Sequence, residues 1–333
     1  MNTSYSIGVD LGGTNLRVAS YADDLGLIET ITLPTRLSEG RDRVVRDIRD
    51  TVNSLRNNDY GSRYLAGVGL GTPGPLELPE GILHNPPNLP GWDGFNLRAA
   101  LESALDFPVQ IESDANAAAL AEARLGAGRS HKVQSFCVLT LGTGVGSGLI
   151  LDGAIWHGSA GMGGEAGHVI VKDIDGPLCG CGGSGCLEQY ASATALVRMA
   201  RERMGPEAPE TANELSVLAR QGEPLAISVF ETLGHALAVG LAGLINTLNL
   251  PLYLLGGGVC EAWELFAPAM FRELLVRSYI YRLTAPQPLM PRRLERHKTY
   301  ILPAELGPTA GLLGACLLPY QLRRISHEIV SAG

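Results

Sequence analysis

Charge is sparse in this chain of 333 residues, with Asp, Glu, Lys and Arg making up only 18%. The 26 basic residues are spread thinly against 34 acidic ones, for a formal net charge of −8. No basic stripe exists to neutralise a phosphate backbone, so nucleic acid is not an expected partner. A targeting segment is missing as well. Met1 to Ser6 is polar and runs straight into a strand-like stretch, without the basic start or apolar middle of a signal peptide, which points to the cytoplasm. No membrane is expected either. His235 to Val259 carries no Asp, Glu, Lys or Arg, but Asn246, Asn249, Pro251 and three glycines from Gly256 interrupt it, and it reads as buried helix, turn and buried strand.

What is present is an ordinary globular balance. Hydrophobic residues at 45% suffice for a compact core, and the length is accommodated more easily as two lobes around a cleft than as one domain. Glycine is in excess, at 42 of 333 residues, about 13% against the roughly 7% of average usage. It clusters at 8–13, 67–74, 142–148, 158–167, 180–185 and 256–258, beside apolar strands. That distribution suggests phosphate or ligand turns in place of linkers.

Residues 5–11 (YSIGVDL), 16–22 (LRVASYA) and 27–33 read as successive strands. A helix from Arg41 follows, with Val44, Val45, Ile48, Val52 and Leu55 on one face, then a strand at 65–70. After Ser135 the order restarts, with strands at 136–141, 149–151 and 252–255, an approximate internal duplication. Helices are predicted near 94–105, 115–125, 192–204, 211–221, 224–249, 261–279 and 308–329. The class is α/β with duplicated mixed-sheet units. An N-terminal lobe at 1–120 and a C-terminal lobe at 121–315 are expected, with the boundary in the stretch 115–134 and a closing helix at 316–333 able to pack back on the first lobe.

Four segments carry chemistry. In VDLGGTNLRV, residues 9–18, an acid ends a strand and two glycines turn the chain into the next. Gly12 and Gly13 let backbone N–H groups approach anionic oxygens, Thr14 and Asn15 add short donors, and Asp10 suits a water-bridged Mg²⁺. A plain Gly-Gly hairpin fits the segment equally well. LTLGTGVGSGLILDG, residues 139–153, repeats the strand, turn, strand pattern with Gly142, Thr143 and Gly144 at the turn. It lacks the Gly-x-Gly-x-x-Gly spacing and is followed by a strand instead of a helix, which disfavours a dinucleotide fold, and it also lacks the lysine of a P-loop. Two such turns, one per half, would clasp a polyphosphate.

In ESDANAAALAE, residues 112–122, Asp114 stands between an apolar strand and an alanine-rich helix. That position fits a helix N-cap. The segment alone favours that cap over the other reading, a base for a sugar hydroxyl, for which a low pKa is no obstacle because a loose phosphoryl-transfer transition state asks for a positioned nucleophile more than an early deprotonated one. In GEAGHV and CGCGGSGCLEQYAS, Cys179, Cys181 and Cys186 fall within eight residues and His168 eleven upstream of the first, a Cys₃His set for structural zinc. A disulfide would leave one of the three unpaired in a reducing compartment. Glu165 and Glu188 bracket this knuckle and read either as paired acceptors for sugar hydroxyls or as solvated surface acids. Were His168 to give one ring nitrogen to zinc, the other could donate to a sugar. Cys137, Cys260 and Cys316 sit in apolar contexts and read as core.

In this order and spacing the four segments resemble the ROK family of bacterial sugar kinases and repressors, within the actin, hexokinase and heat-shock ATPase superfamily. The likeness runs nearly end to end, through GTPGPLELPEGILHNPPNLPGW at 71–92, LLGGGV at 254–259 and AELGPTAGLLGA at 304–315. It implies a two-lobed actin-like ATPase fold of the ribonuclease H type. It also implies an ATP- and Mg²⁺-dependent hexose 6-phosphotransferase of glucokinase type, with structural Zn²⁺ and a homodimeric state. By position, Asp114 would be the base, and Asp10, Gly12, Gly13, Thr14 and the 142–146 turn would surround phosphates and Mg²⁺. Gly257 and Gly258 would lie near adenosine; Gly74, Asn88, Ser113, Glu165, His168 and Glu188 would face the sugar. The family's kinases usually carry Asn where Ser113 stands, and a hydroxyl lacks the amide's geometry. An N-acetylhexosamine kinase or a fructokinase is therefore the alternative within the class. A sugar-responsive repressor is the alternative outside it, disfavoured because the first phosphate strand begins at Tyr5 with no room before it for a DNA-binding helix-turn-helix.

Overall fold

The computed structural model describes residues 3–290 and 293–331. Residues 1–2 of the expected first lobe and 332–333 of the expected closing helix lie outside that range. The chain forms two compact units, one made of the stretch up to Arg124, Ile155–Gly163 and the stretch from Thr309 on, the other of Leu125–Ala154 and Gly164–Pro308.

In the first unit the apolar runs after Thr3 and Thr14 form β1 (Ser4–Leu11) and β2 (Asn15–Ala22), an antiparallel hairpin extended by β3 (Gly26–Pro34). The helix α1 (Arg41–Arg56) buries Val44, Val45, Ile48, Val52 and Leu55, the stripe its periodicity predicts. There follow β4 (Tyr64–Thr72), a small hairpin of β5 (Leu76–Glu77) and β6 (Ile82–Leu83), α2 (Leu97–Leu105), β7 (Val109–Ser113) and α3 (Asp114–Arg124). The sheet runs in the order β3-β2-β1-β4-β7, with β1, β4 and β7 parallel. Ile7, Val9, Leu16, Ile48, Leu70 and Leu101 fill its core.

In the second unit α4 (Ala127–Ser130) leads to β8 (Phe136–Leu141), β9 (Val145–Leu151) and the edge strand β10 (Ala154–Ile155). After α5 (Glu188–Ala191), α6 (Ala193–Met204), α7 (Ala212–Arg220) and α8 (Pro224–Leu248), the strand β11 (Leu252–Gly256) joins the sheet. The helices α9 (Trp263–Arg277) and α10 (Tyr279–Thr284) precede β12 (Tyr300–Pro303). Here the order is β10-β9-β8-β11-β12, with β8, β11 and β12 parallel. Each sheet thus places its strands as third, second, first, fourth, fifth, so the duplication read from the sequence is one of topology. The helix α8 is long and apolar enough to cross a membrane. It buries Phe230, Leu233, Leu237 and Leu241 in the core of this unit, against α6, α7, α9 and α10.

Three local readings change. The strand expected at 149–151 begins at Val145, because the hairpin register pairs Leu141 with Val145 and confines the turn to the three residues between. The helix expected over 261–279 breaks at Ser278, whose hydroxyl accepts the Tyr281 N–H at 2.9 Å and starts α10. Finally, part of the glycine excess serves packing and not ligand turns. The last helix, α11 (Ala310–Ser331), lies on α3, β1 and β4 so closely that a Cβ at Gly8 would fall 2.5 Å from the Cys316 nitrogen and one at Gly67 2.7 Å from Pro319 Cβ.

Candidate active site

Three parallel strands of the first unit end side by side. Asp10 on β1 pairs in register with Gly71 on β4, and Gly71 with Glu112 on β7. Strand ends of this kind are where α/β sheets present turns and helix N-termini to ligands. Asp10 is 9% exposed, and Arg17, its register partner across the hairpin, grips its Oδ2 through Nε at 3.0 Å and through Nη2. The turn from Gly12 to Asn15 is closed by the Gly12 N–H donating to Asn15 O at 2.9 Å and tied down by Thr35 Oγ1 donating to Gly12 O at 2.7 Å. A Cβ on Gly13 would lie 3.0 Å from Asn88 O, so the missing side chain is what lets the exposed Asn88 come up beside the turn. Gly74 lies two residues beyond the end of β4.

The strand β7 passes directly into α3. Ser113 Oγ accepts the Asn116 N–H at 3.2 Å, the contact that an N-cap makes to the third helical residue. The sequence leaves Asp114 between cap and base; here Ser113 takes the capping contact. Asp114, half-buried at the head of the helix, accepts the Ala115 N–H at Oδ1 over 2.7 Å.

In the second unit the turn 142–144 is closed by the Gly142 N–H donating to Gly144 O at 2.9 Å. Glu188, at the head of α5, accepts the Val145 N–H at 3.0 Å through Oε2, and Gly144 has no side chain to obstruct that approach. β8 and β11 are parallel neighbours, and the turn after β11 brings Gly257, at φ +88°, against the Leu141 backbone, with Gly258 next in sequence. The glycine turns 142–144 and 256–258 are therefore adjacent.

The knuckle brings its four donors together. Its loop is held by the Cys179 N–H donating to Gly183 O at 2.8 Å and the Gly185 N–H to Pro177 O at 2.9 Å. One ligand atom from each of His168, Cys179, Cys181 and Cys186 lies within 4.8 Å of every other. Cys181 Sγ and Cys186 Sγ are 3.7 Å apart, and Cys179 Sγ is 3.5 Å from His168 Nδ1. A tetrahedral zinc with bonds of about 2.3 Å to sulfur and about 2.05 Å to nitrogen requires edges of roughly 3.8 and 3.5 Å. The donors fit the ion. Burial pushes the Cys186 thiol up to about 12, so a divalent cation is what would make such a thiol a thiolate.

With Nδ1 turned to the cysteines, His168 Nε2 lies 4.0 Å from Glu165 Oε2. The Glu165 side chain is 43% exposed, yet partial desolvation raises its carboxyl above the ordinary range, opposed by His168 and reinforced by Glu188. Glu165, His168 and Glu188 therefore form one polar group beside the Cys₃His cluster.

A sequence model of the ROK family matches residues 6–321. The chain belongs to the ROK family. This ROK chain is 35% identical to the glucokinase of Thermotoga maritima over 322 residues, 93% of this chain and 95% of that one. Among solved structures, a ROK hexokinase from Thermus thermophilus superposes with a TM-score of 0.77 at 34% identity, over 96% of this chain and 99% of that one. A ROK family glucokinase from Streptomyces griseus, solved in complex with glucose and AMPPNP, does so with 0.77 at 32% identity, over 96% and 100%.

Three residues of this ROK chain escape a reading by sequence. Arg17 orients Asp10; Glu112 and His157 form an ion pair with Nε2 2.5 Å from Oε2, next to the Asp114 helix head. A glutamate inside the strand VQIES was the available signal, since a buried acid needs a partner. Nothing in the sequence said that the partner stands 45 residues away.

Proposed function

We propose that this ROK chain is a hexose kinase of the glucokinase type, transferring the γ-phosphoryl group of ATP to the 6-hydroxyl of glucose with Asp114 as general base. Glucokinase relatives at 35% and 32% identity, the second from Streptomyces coelicolor, support the reaction class. The observation that carries the base assignment is Asp114 at the head of α3, directly after the end of β7, where Ser113 makes the capping contact.

The roles follow from chemistry. Asp114 takes the proton of the 6-hydroxyl as that oxygen attacks the γ-phosphorus, and the bond from phosphorus to the bridging oxygen breaks to release ADP. In the first unit the Gly13 N–H, the Thr14 hydroxyl and the Asn15 amide are assigned to phosphate oxygens, and in the second the Gly144 N–H and the Thr143 hydroxyl; Gly12 and Gly142, whose N–H groups close their turns, shape them. Asp10, oriented by Arg17, is the carboxylate that would hold the Mg²⁺ entering with ATP, an ion that would neutralise charge on the phosphate oxygens. Gly257 and Gly258 keep the adenosine side open to close approach. Within the first unit Gly74 and Asn88 are assigned to sugar hydroxyls; within the second, Glu165, His168 and Glu188 are. Ser113 Oγ accepts from the helix but keeps its own hydrogen to donate. Zinc, when bound by His168, Cys179, Cys181 and Cys186, supplies only a cross-link between the segments that carry Glu165 and Glu188.

Asp114→Asn should lower kcat by about 10²–10⁴-fold and spare glucose binding measured by calorimetry. Turnover within a few-fold of the parent would remove Asp114 as the base. Initial rates on glucose, mannose, fructose, N-acetylglucosamine and N-acetylmannosamine decide the sugar, and a higher kcat/KM on an acetylated hexosamine or fructose would replace glucose.

A further inference from the structure

The segment Ile155–Gly163 belongs to the first unit and is anchored there twice. The Leu78 N–H donates to Ala160 O at 3.3 Å, and His157 Nε2 lies 2.5 Å from Glu112 Oε2. The Gly163 N–H donates to His157 O at 2.8 Å, which closes the segment on itself and holds the backbone of the histidine.

Glu112 is only 4% exposed. Its Oε1 accepts two hydrogen bonds of 2.9 Å, from the Ser113 N–H and from Asn116 Nδ2. One buried carboxylate thus grips the backbone just before Asp114 and a side chain in the first turn after it. Asn116 is itself 1% exposed, and among the described residues its Oδ1 has no hydrogen-bond partner, so the contact to Glu112 orients this amide. A buried carboxylate keeps such a geometry only while both oxygens are paired. Oε2 is paired by His157.

We propose that His157 is a positioning residue for the phosphoryl-transfer reaction, acting through Glu112 to hold the junction between β7 and α3 that presents Asp114. The proposal rests on Asp114 being the base. Without the imidazole, Glu112 Oε2 turns toward water or takes a proton, and either movement loosens the grip of Oε1 on Ser113 and Asn116. Asp114 then samples orientations in which its carboxylate misses the hydroxyl proton. Hydrogen bonding to Glu112 raises the imidazole above its ordinary range against the opposing effect of burial.

The test uses the full chain with glucose and MgATP. A misplacement of 1 Å lowers rates by about 10²-fold, so a partial loosening in His157→Ala should lower kcat by roughly tenfold. The KM for ATP should stay within twofold and the melting temperature within a few degrees. His157→Gln, which keeps a side-chain N–H of similar reach, should recover most of the rate. In a Glu112→Ala background, His157→Ala should have no further effect on kcat. A kcat within twofold of the parent in His157→Ala, a loss that Gln leaves unrepaired, or an additive loss in the double variant would each overturn the proposal. Asp114→Asn measured in parallel separates the two readings. Should it be inert while His157→Ala is fully active, the base stands and the positioning role falls; should it turn over normally, the base assignment falls and the positioning role with it.

Discussion

Replacing Gly144 with Ala tests how the second glycine turn and the knuckle are coupled. A Cβ at this position would overlap Glu188 Oε2 and lie 3.3 Å from its Cδ, with no other atom in the way. The backbone there is not left-handed, so alanine brings no conformational strain. The carboxylate must therefore swing aside and give up the Val145 N–H that it accepts at 3.0 Å. Val145 is 4% exposed, and losing a charged acceptor at a buried donor costs about 1–3 kcal/mol. For a unit of this size each kcal/mol lowers the melting temperature by about 2–4 °C, so the expected drop is roughly 2–12 °C. Because Glu188 is assigned to the sugar, the KM for glucose should rise about tenfold, the equivalent of ~1.4 kcal/mol. Gly142→Ala is the control: a Cβ there meets nothing within 4 Å, and its melting temperature should match the parent. Scanning calorimetry and steady-state kinetics read both effects, and Glu188→Ala closes the cycle, since Gly144→Ala should add nothing in its presence. A Gly144→Ala enzyme with parental stability and glucose KM would refute the coupling of turn and carboxylate.

Metal analysis should find one zinc per chain, and removing it with a chelator, or replacing Cys181 with Ser, should loosen residues 165–188. Structural zinc binds zinc-finger peptides with apparent energies of about 10–16 kcal/mol; even ~3 kcal/mol of that here would lower the melting temperature by roughly 6–12 °C and weaken glucose binding. An unchanged melting curve after complete metal removal would contradict the structural role. The His157 to Glu112 pair predicts a pH dependence of stability. The imidazole is raised in the folded state, so its contribution is fully present below the unfolded value near 6.5 and is lost as pH rises through the folded value. Urea titrations should show His157→Gln losing more stability relative to the parent at pH 6 than at pH 9. The opposite sign would contradict the ion pair.

Much of the fold is legible in the chain because its elements are local. The stripe of Val44, Val45, Ile48, Val52 and Leu55 writes α1 directly, and strand alternation with a glycine turn writes both hairpins. The four donors of the Cys₃His cluster are equally legible, since three of them lie in one short loop whose glycines allow the sulfurs to converge. What escapes are features fixed by distant partners. Ser278 stops α9 through a capping contact, the strand at Tyr300–Pro303 exists because β11 offers it a parallel edge, and Gly8 and Gly67 are small because α11 arrives from the far end of the chain.

By itself, then, the sequence determined the α/β class, the duplicated units, the phosphate turns as candidates and the donor set for zinc, because each is encoded within a few residues of itself. Only the tertiary structure showed which side chain at the junction 113–114 makes the capping contact to the Asn116 N–H, and it is Ser113. It also decided that Glu112 is clamped by a histidine from the segment 155–163. A pairing of that kind depends on which side chain arrives in space beside a buried carboxylate, and no local pattern of residues records it.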